Sequence, residues 1–146
     1  MPDINPEVLN SFGFWGSILV LKLLAMMPLT ARLRFRKKIF ANPEDADYAG
    51  KTAKVVYNDP DIERVRRAHL NDLENVVPWF IITYLWLGTG PAPWLAKTLI
   101  QTFVLSRIGH TVSYVLFSQQ PMRAITFFIA YGVMGYEVIK TLMYYS

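Results

Sequence analysis

The sequence contains no cysteine. Disulfides, thiolate metal sites and a protein thiol nucleophile are therefore excluded, and any thiol chemistry must arrive with a bound small molecule. Histidine is scarce: His69 and His110 are the only two. With so few imidazoles and no thiol, no metal site is expected. Charged residues make up 18% of the chain against 53% apolar ones, and mean hydropathy is +0.24. That balance is too apolar for an ordinary soluble domain. Internal repeats and low-complexity segments are absent. No small-residue cleavage pattern follows the first apolar run, so that run reads as a retained anchor rather than a removed signal.

What is present is 146 residues, enough for one domain, with a net charge of +4. Ten of the fifteen Lys and Arg residues lie between Arg32 and Arg67. A basic patch can serve nucleic acid, but here it flanks apolar runs, so a membrane is the expected partner and nucleic acid is not.

The apolar residues fall into four runs, predicting an all-α membrane protein built as a bundle of four transmembrane helices. The first spans about 12–31, long enough to cross the hydrocarbon core, with Pro28 expected to kink its last turns. Lys22 interrupts it, either snorkelling to the surface or facing the bundle interior; its mid-run position favours the interior. A basic connection, about 32–59, follows. It should lie in the cytosol by the positive-inside rule, leaving both chain ends on the opposite side. The second helix is predicted over about 60–87, with Asp59 as N-cap, Pro60 at its first position and Pro78 inside. The third spans about 94–117 and the fourth about 122–145. Gly88–Pro93 and Ser118–Pro121 read as the turns between them. Gly132 and Gly135 read as close-packing positions, and Glu137 with Lys140 as an ion pair.

The second helix opens with a dense set of charges, Glu63-Arg64-Val65-Arg66-Arg67-Ala68-His69-Leu70-Asn71-Asp72-Leu73-Glu74. Helical spacing places Arg67, Asn71 and Glu74 on one stripe. Arg107, His110 and Tyr114 share a face of the third helix. In the predicted topology these groups, with Arg34 and Arg123, reach the same cytosolic level. Guanidinium groups suit carboxylates or phosphates, and Glu74 suits an amine. The bland alternative is an internal ion-pair network fixing helix register, for instance Glu74 with Arg107. A lone His110 on a helix is more often a hydrogen-bonded core residue than a ligand. By pattern alone the binding site and the network stand level.

At these residues the chain resembles a known family, the membrane-associated proteins in eicosanoid and glutathione metabolism. Phe40-Ala41-Asn42-Pro43-Glu44-Asp45 and the charged string from Glu63 to Asn75 carry the likeness, which extends from Lys22 to Arg123-Ala124 and Phe127-Phe128. The resemblance is closest to the microsomal glutathione transferases. It implies a homotrimer in the endoplasmic reticulum membrane, with the mitochondrial outer membrane as a second location, and glutathione held between neighbouring subunits near the cytosolic face. Matched by motif, Arg34, Arg66, Arg67, His69, Asn71, Glu74, His110, Tyr114 and Arg123 are the implied glutathione-binding residues. Arg123 is the implied catalytic group, a cation that favours the thiolate.

The implied activity is transfer of glutathione, the co-substrate, to hydrophobic electrophiles, with reduction of lipid hydroperoxides as a second activity. A prostaglandin E synthase-like isomerase is the alternative. That branch carries a serine after the fourth-helix arginine and a tyrosine three residues further on, where this chain has Ala124 and Phe127. A non-enzymatic lipid-binding accessory protein is the third reading, and the joint presence of Arg67, Asn71, Glu74, Tyr114 and Arg123 speaks against it.

Overall fold

The computed structural model describes residues 4–117 and 120–146. Its architecture is all-helical, with five α-helices and one very short pair of strands. Helix α1 runs Pro6–Lys37. The Asn5 side chain accepts from the backbone N–H groups of Glu7 and Val8, and Pro6 starts the helix. The predicted boundary at Ala31 is corrected. The basic run is the last turns of α1, not a connection. Leu33 packs there against the Met26, Val65 and Ala68 cluster, while Arg34, Arg36 and Lys37 complement the negative end of the helix dipole. The helix stops at Lys38, whose left-handed conformation (φ 56°) turns its N–H back to the carbonyls of Arg34 and Phe35.

The following segment is a folded strap. Strand β1 (Ile39–Phe40) pairs in parallel with β2 (Lys54–Val55), and helix α2 (Pro43–Ala49) lies between them. Phe40 is buried and meets Phe35 edge-on. Lys37 ties the strap's far end, donating to Asp59 at 2.8 Å and Asp61 at 2.6 Å. Beside that ammonium, and accepting the N–H groups of Ile62 and Asp61, the Asp59 carboxyl is held below its ordinary range. The same carboxylate caps α3 (Pro60–Leu87), as the sequence predicts.

Helix α4 runs Pro93–Val112 and continues as a single π-helical turn, Ser113–Phe117. Helix α5 runs Gln120–Tyr145, so Gln120 and Pro121 are already helical. Of the predicted turn Ser118–Pro121, residues 118 and 119 lie outside the described ones. Helix α1 packs on α3 and α4, and α5 on α4 and α3. The main core centres on Trp79, stacked on Phe103 with ring centroids 4.6 Å apart and flanked by Phe12. A smaller cluster of Met26, Val65 and Ala68, with Tyr114 and Val115 against it, sits towards the charged end of the bundle.

Among the described residues two helices, α1 and α5, are long and apolar enough to cross a membrane by length and composition. Their outward faces carry large apolar side chains such as Leu21, Leu24, Met27, Phe128 and Leu142. Close helix approach occurs elsewhere than predicted. A Cβ at Gly16 would lie 2.8 Å from the Phe80 ring, and one at Gly109 would lie 3.3 Å from Thr126. Gly132 and Gly135 have open space around them within the chain. The Glu137–Lys140 pair is also corrected: Glu137 turns into the bundle and accepts from Thr83 at 2.7 Å, while Lys140 lies over the Tyr136 ring. Burial draws the carboxyl to the nearest internal donor.

Candidate functional site

The charged end of the bundle is organised by Asp72, which is fully buried on α3. Lys22 of α1 donates to its Oδ1 at 2.7 Å, and Arg107 of α4 donates to the same atom at 2.6 Å. Thr111 donates to Oδ2 at 3.0 Å. Lys22 also donates to the Arg107 carbonyl oxygen at 2.9 Å. Three helices are joined at one carboxylate, and Lys22 faces the interior as its position predicts. The Glu74–Arg107 pair of the alternative network reading does not form; Arg107 pairs with Asp72 instead. Asp72, one residue past Asn71, points inward, whereas Glu74 is exposed on the outer face.

Next to this cluster, α3, α4 and α5 enclose an open cavity of about 290 Å³. Asn71, His110, Tyr114 and Arg123 line it together with Ala124 and Phe127. The Arg123 guanidinium lies over the Tyr114 ring at 4.6 Å and donates to Gln120 at 3.1 Å. His110 is buried beside Tyr114 and Phe127, and its Nδ1 has no hydrogen-bond partner among the described residues. The π-helical turn follows the last turn of α4, where His110 sits, and carries Tyr114. The cavity is rich in hydrogen-bond donors around one guanidinium, a chemistry that fits an anion.

A second cavity, of about 330 Å³, opens between α1 and α3 and is lined by Arg34, Arg66 and His69 with Met27, Thr30 and Ala31. Arg34 Nη1 is buried there without a hydrogen-bond partner among the described residues, and Arg66 is bonded to Glu63 at 2.6 Å. The nine sequence-predicted residues thus divide into three sets. Asn71, His110, Tyr114 and Arg123 share the first cavity; Arg34, Arg66 and His69 share the second. Arg67 and Glu74 line neither and stand exposed on α3, on a face that also leaves Leu70, Val77, Ile81 and Tyr84 uncovered. Within one chain the predicted convergence is therefore onto two cavities rather than one.

Residues 12–143 match the MAPEG family. The chain belongs to the MAPEG family. Among its MAPEG relatives, microsomal glutathione S-transferase 1 of Homo sapiens is 41% identical, with 97% of this chain and 95% of the relative covered. The Bos taurus protein of the same name is 43% identical, covering 94% of this chain and 93% of the relative. Prostaglandin E synthase of Bos taurus is 37% identical over 87% of this chain and 82% of its own.

One residue of this MAPEG chain escaped the sequence reading of the site. Asp72 was hidden in the charged string, because helical periodicity alone does not say which of Asn71, Asp72 and Glu74 turns inward. A signal was present: Lys22 and Arg107 each sit within an apolar run and need a buried counter-charge. Asp72 lies on the same stripe of α3 as the buried Ala68, Val76 and Trp79.

Proposed function

We propose that this MAPEG protein is a membrane glutathione transferase of the endoplasmic reticulum. It conjugates glutathione, held as the thiolate, to hydrophobic electrophiles and also reduces lipid hydroperoxides. In this reading α3 and α4 cross the bilayer with α1 and α5, giving four spans, and the protein works as a homotrimer.

One observation carries the reading. The Arg123 guanidinium and the Tyr114 ring stand together at a cavity also lined by Asn71 and His110. A fixed cation beside a thiol favours its ionised form, and the thiolate is the nucleophile. The bond formed is sulfur to electrophilic carbon; the electrophile's leaving group departs with the electron pair, and the thiol proton goes to solvent. The chain supplies no thiol of its own, so the sulfur is the tripeptide's. The relatives named microsomal glutathione S-transferase 1 support this choice of co-substrate.

Two half-sites support the oligomer. The cavity at Arg34, Arg66 and His69 and the cavity at Arg123 lie on different sides of α3, with Arg67 and Glu74 exposed between them. A tripeptide with two carboxylates and one amine is served when one copy's first cavity meets its neighbour's second. Arg34, Arg66 and Arg67 then take carboxylates, Glu74 the amine, and Arg123 the sulfur. Electrophiles enter from lipid through the gaps between copies.

The isomerase reading is favoured by the relatives named prostaglandin E synthase. Ala124 and Phe127 line the Arg123 cavity without a hydroxyl, which removes the proton donor that reading needs and favours conjugation. Purified protein with glutathione and an electrophilic aromatic halide tests the proposal. Conjugate and thiolate absorbance are expected. Arg123→Leu should still bind glutathione, lose the thiolate absorbance, and conjugate roughly a hundredfold more slowly. Binding without turnover would contradict conjugation, and calorimetry showing no glutathione binding would favour the lipid-binding accessory reading.

A further inference from the structure

The buried charge cluster reaches the Arg123 cavity through one side chain. Arg107 Nη2 donates not only to Asp72 but also to Asn71 Oδ1, at 2.9 Å. Arg107 is fully buried and carries only donors, so it can face nothing but the oxygen of that amide. The amide's other end, Nδ2, is then left for the cavity that Asn71 lines. Arg107 makes its side-chain hydrogen bonds through Nη2 alone, while Nε and Nη1 are buried without a partner among the described residues. Asp72 holds its Nη2, and the Lys22 ammonium occupies its own carbonyl oxygen.

We infer that Arg107 is a positioning residue for the bound tripeptide. Because it can only donate, it locks the Asn71 amide with N–H outward, so that the cavity offers Asn71 as a donor beside Arg123. The ligand group recognised there is an acceptor, a carbonyl or carboxylate oxygen. A ligand donor finds no partner in that Nδ2, because the Asn71 oxygen is turned to Arg107. Asp72 belongs to the same device, since it holds the guanidinium nitrogen that reaches Asn71, and Lys22 shares that carboxylate. The inference rests on the glutathione reading above and deepens it. It assigns Arg107, which never touches the ligand, a share in how tightly glutathione is held and none in how fast the sulfur reacts.

A two-residue cycle tests this in the full-length protein, with glutathione and an aromatic halide as probes. Arg107→Lys keeps a cation for Asp72, but its ammonium ends one bond short of Nη2 and falls away from Asn71. The KM for glutathione is expected to rise about tenfold with kcat and thiolate absorbance nearly unchanged, the size of one lost hydrogen bond to a charged group. Asn71→Ala alone should raise KM similarly, and adding Arg107→Lys to Asn71→Ala should change it little further. Effects on KM that multiply in the double variant would overturn the inference, because Arg107 would then act independently of Asn71. Should Arg107→Lys not fold, Asn71→Asp decides. It keeps the bond to Arg107 and adds a counter-charge to a cluster of two cations and one carboxylate, so heat resistance should hold or rise while the glutathione KM rises about tenfold or more. An unchanged KM in that variant would also overturn the inference. Absence of glutathione binding by the parent protein is a separate result, and it would remove the proposed function together with everything built on it.

Discussion

Asp72 serves two cations at once, and the imbalance has consequences for each substitution around it. Lys22, Asp72 and Arg107 together leave one buried positive charge without a counter-charge among the described residues. Removing the carboxylate is therefore far worse than removing a cation. Asp72→Asn leaves two buried cations facing a neutral amide and should cost about 3–5 kcal/mol. Lys22→Met leaves the Asp72–Arg107 pair intact and should cost much less, within about 1 kcal/mol. Thermal denaturation of both variants in the same detergent checks this; equal losses would contradict the arrangement. Single residues were legible from sequence when their cost was visible in the run that holds them. Lys22 inside an apolar segment could snorkel or face inward; its mid-run position favoured the interior, and it bonds Asp72 there. The alternative pairing of Glu74 with Arg107 assumed that Glu74 is buried. Glu74 is exposed, so its partner was never required within the chain.

At the scale of elements, the strap between α1 and α3 is held at its end by Lys37 between Asp59 and Asp61. Asp59 is depressed by that ammonium and by two backbone N–H groups, so its contribution to the α3 cap is present above its unfolded pKa and is lost as pH falls through the lower folded value. Carboxyl-carbon NMR should find Asp59 titrating below about 3.9, and Lys37→Met should move it back towards that value. Titration at the ordinary value in the parent would contradict the cap geometry. Helix packing offers a second test. Gly16 meets the Phe80 ring, which Phe12 and Trp79 hold from other sides. Gly16→Ala should cost about 1–2 kcal/mol in detergent thermal stability, because the ring must give way. Gly132→Ala should be nearly neutral in the isolated chain. The four long helices were legible because each apolar run is bounded by Pro, Gly or charge. The end of α1 was not, since Arg and Lys are good helix formers and alternate there with Leu33 and Phe35. Strand β1 and helix α2 were hidden in a polar stretch too short for periodicity to register.

The whole molecule presents its predicted site residues in two places, and joining them is a question of assembly. The outer face of α3 combines Arg67 and Glu74 with uncovered Leu70, Val77, Ile81 and Tyr84. Under the proposed four-span arrangement, charges among apolar side chains at membrane depth are costly when they face lipid, which argues for a protein or ligand partner on this face. That Asn71, His110, Tyr114 and Arg123 line one cavity was legible because the order of the helices puts these positions at one level. The separation into two cavities was not, because sequence spacing gives a residue's face on its own helix but not which neighbouring helix covers that face. Mixed assemblies test the central claim most directly. Chains carrying Arg34→Leu and chains carrying Arg123→Leu, each expected to conjugate far more slowly than the parent when alone, are co-expressed and purified through separate tags on the two chains. Subunit junctions that unite an intact first cavity from one chain with an intact second cavity from the other should restore glutathione conjugation. Mixed assemblies as slow as the single variants would contradict the account.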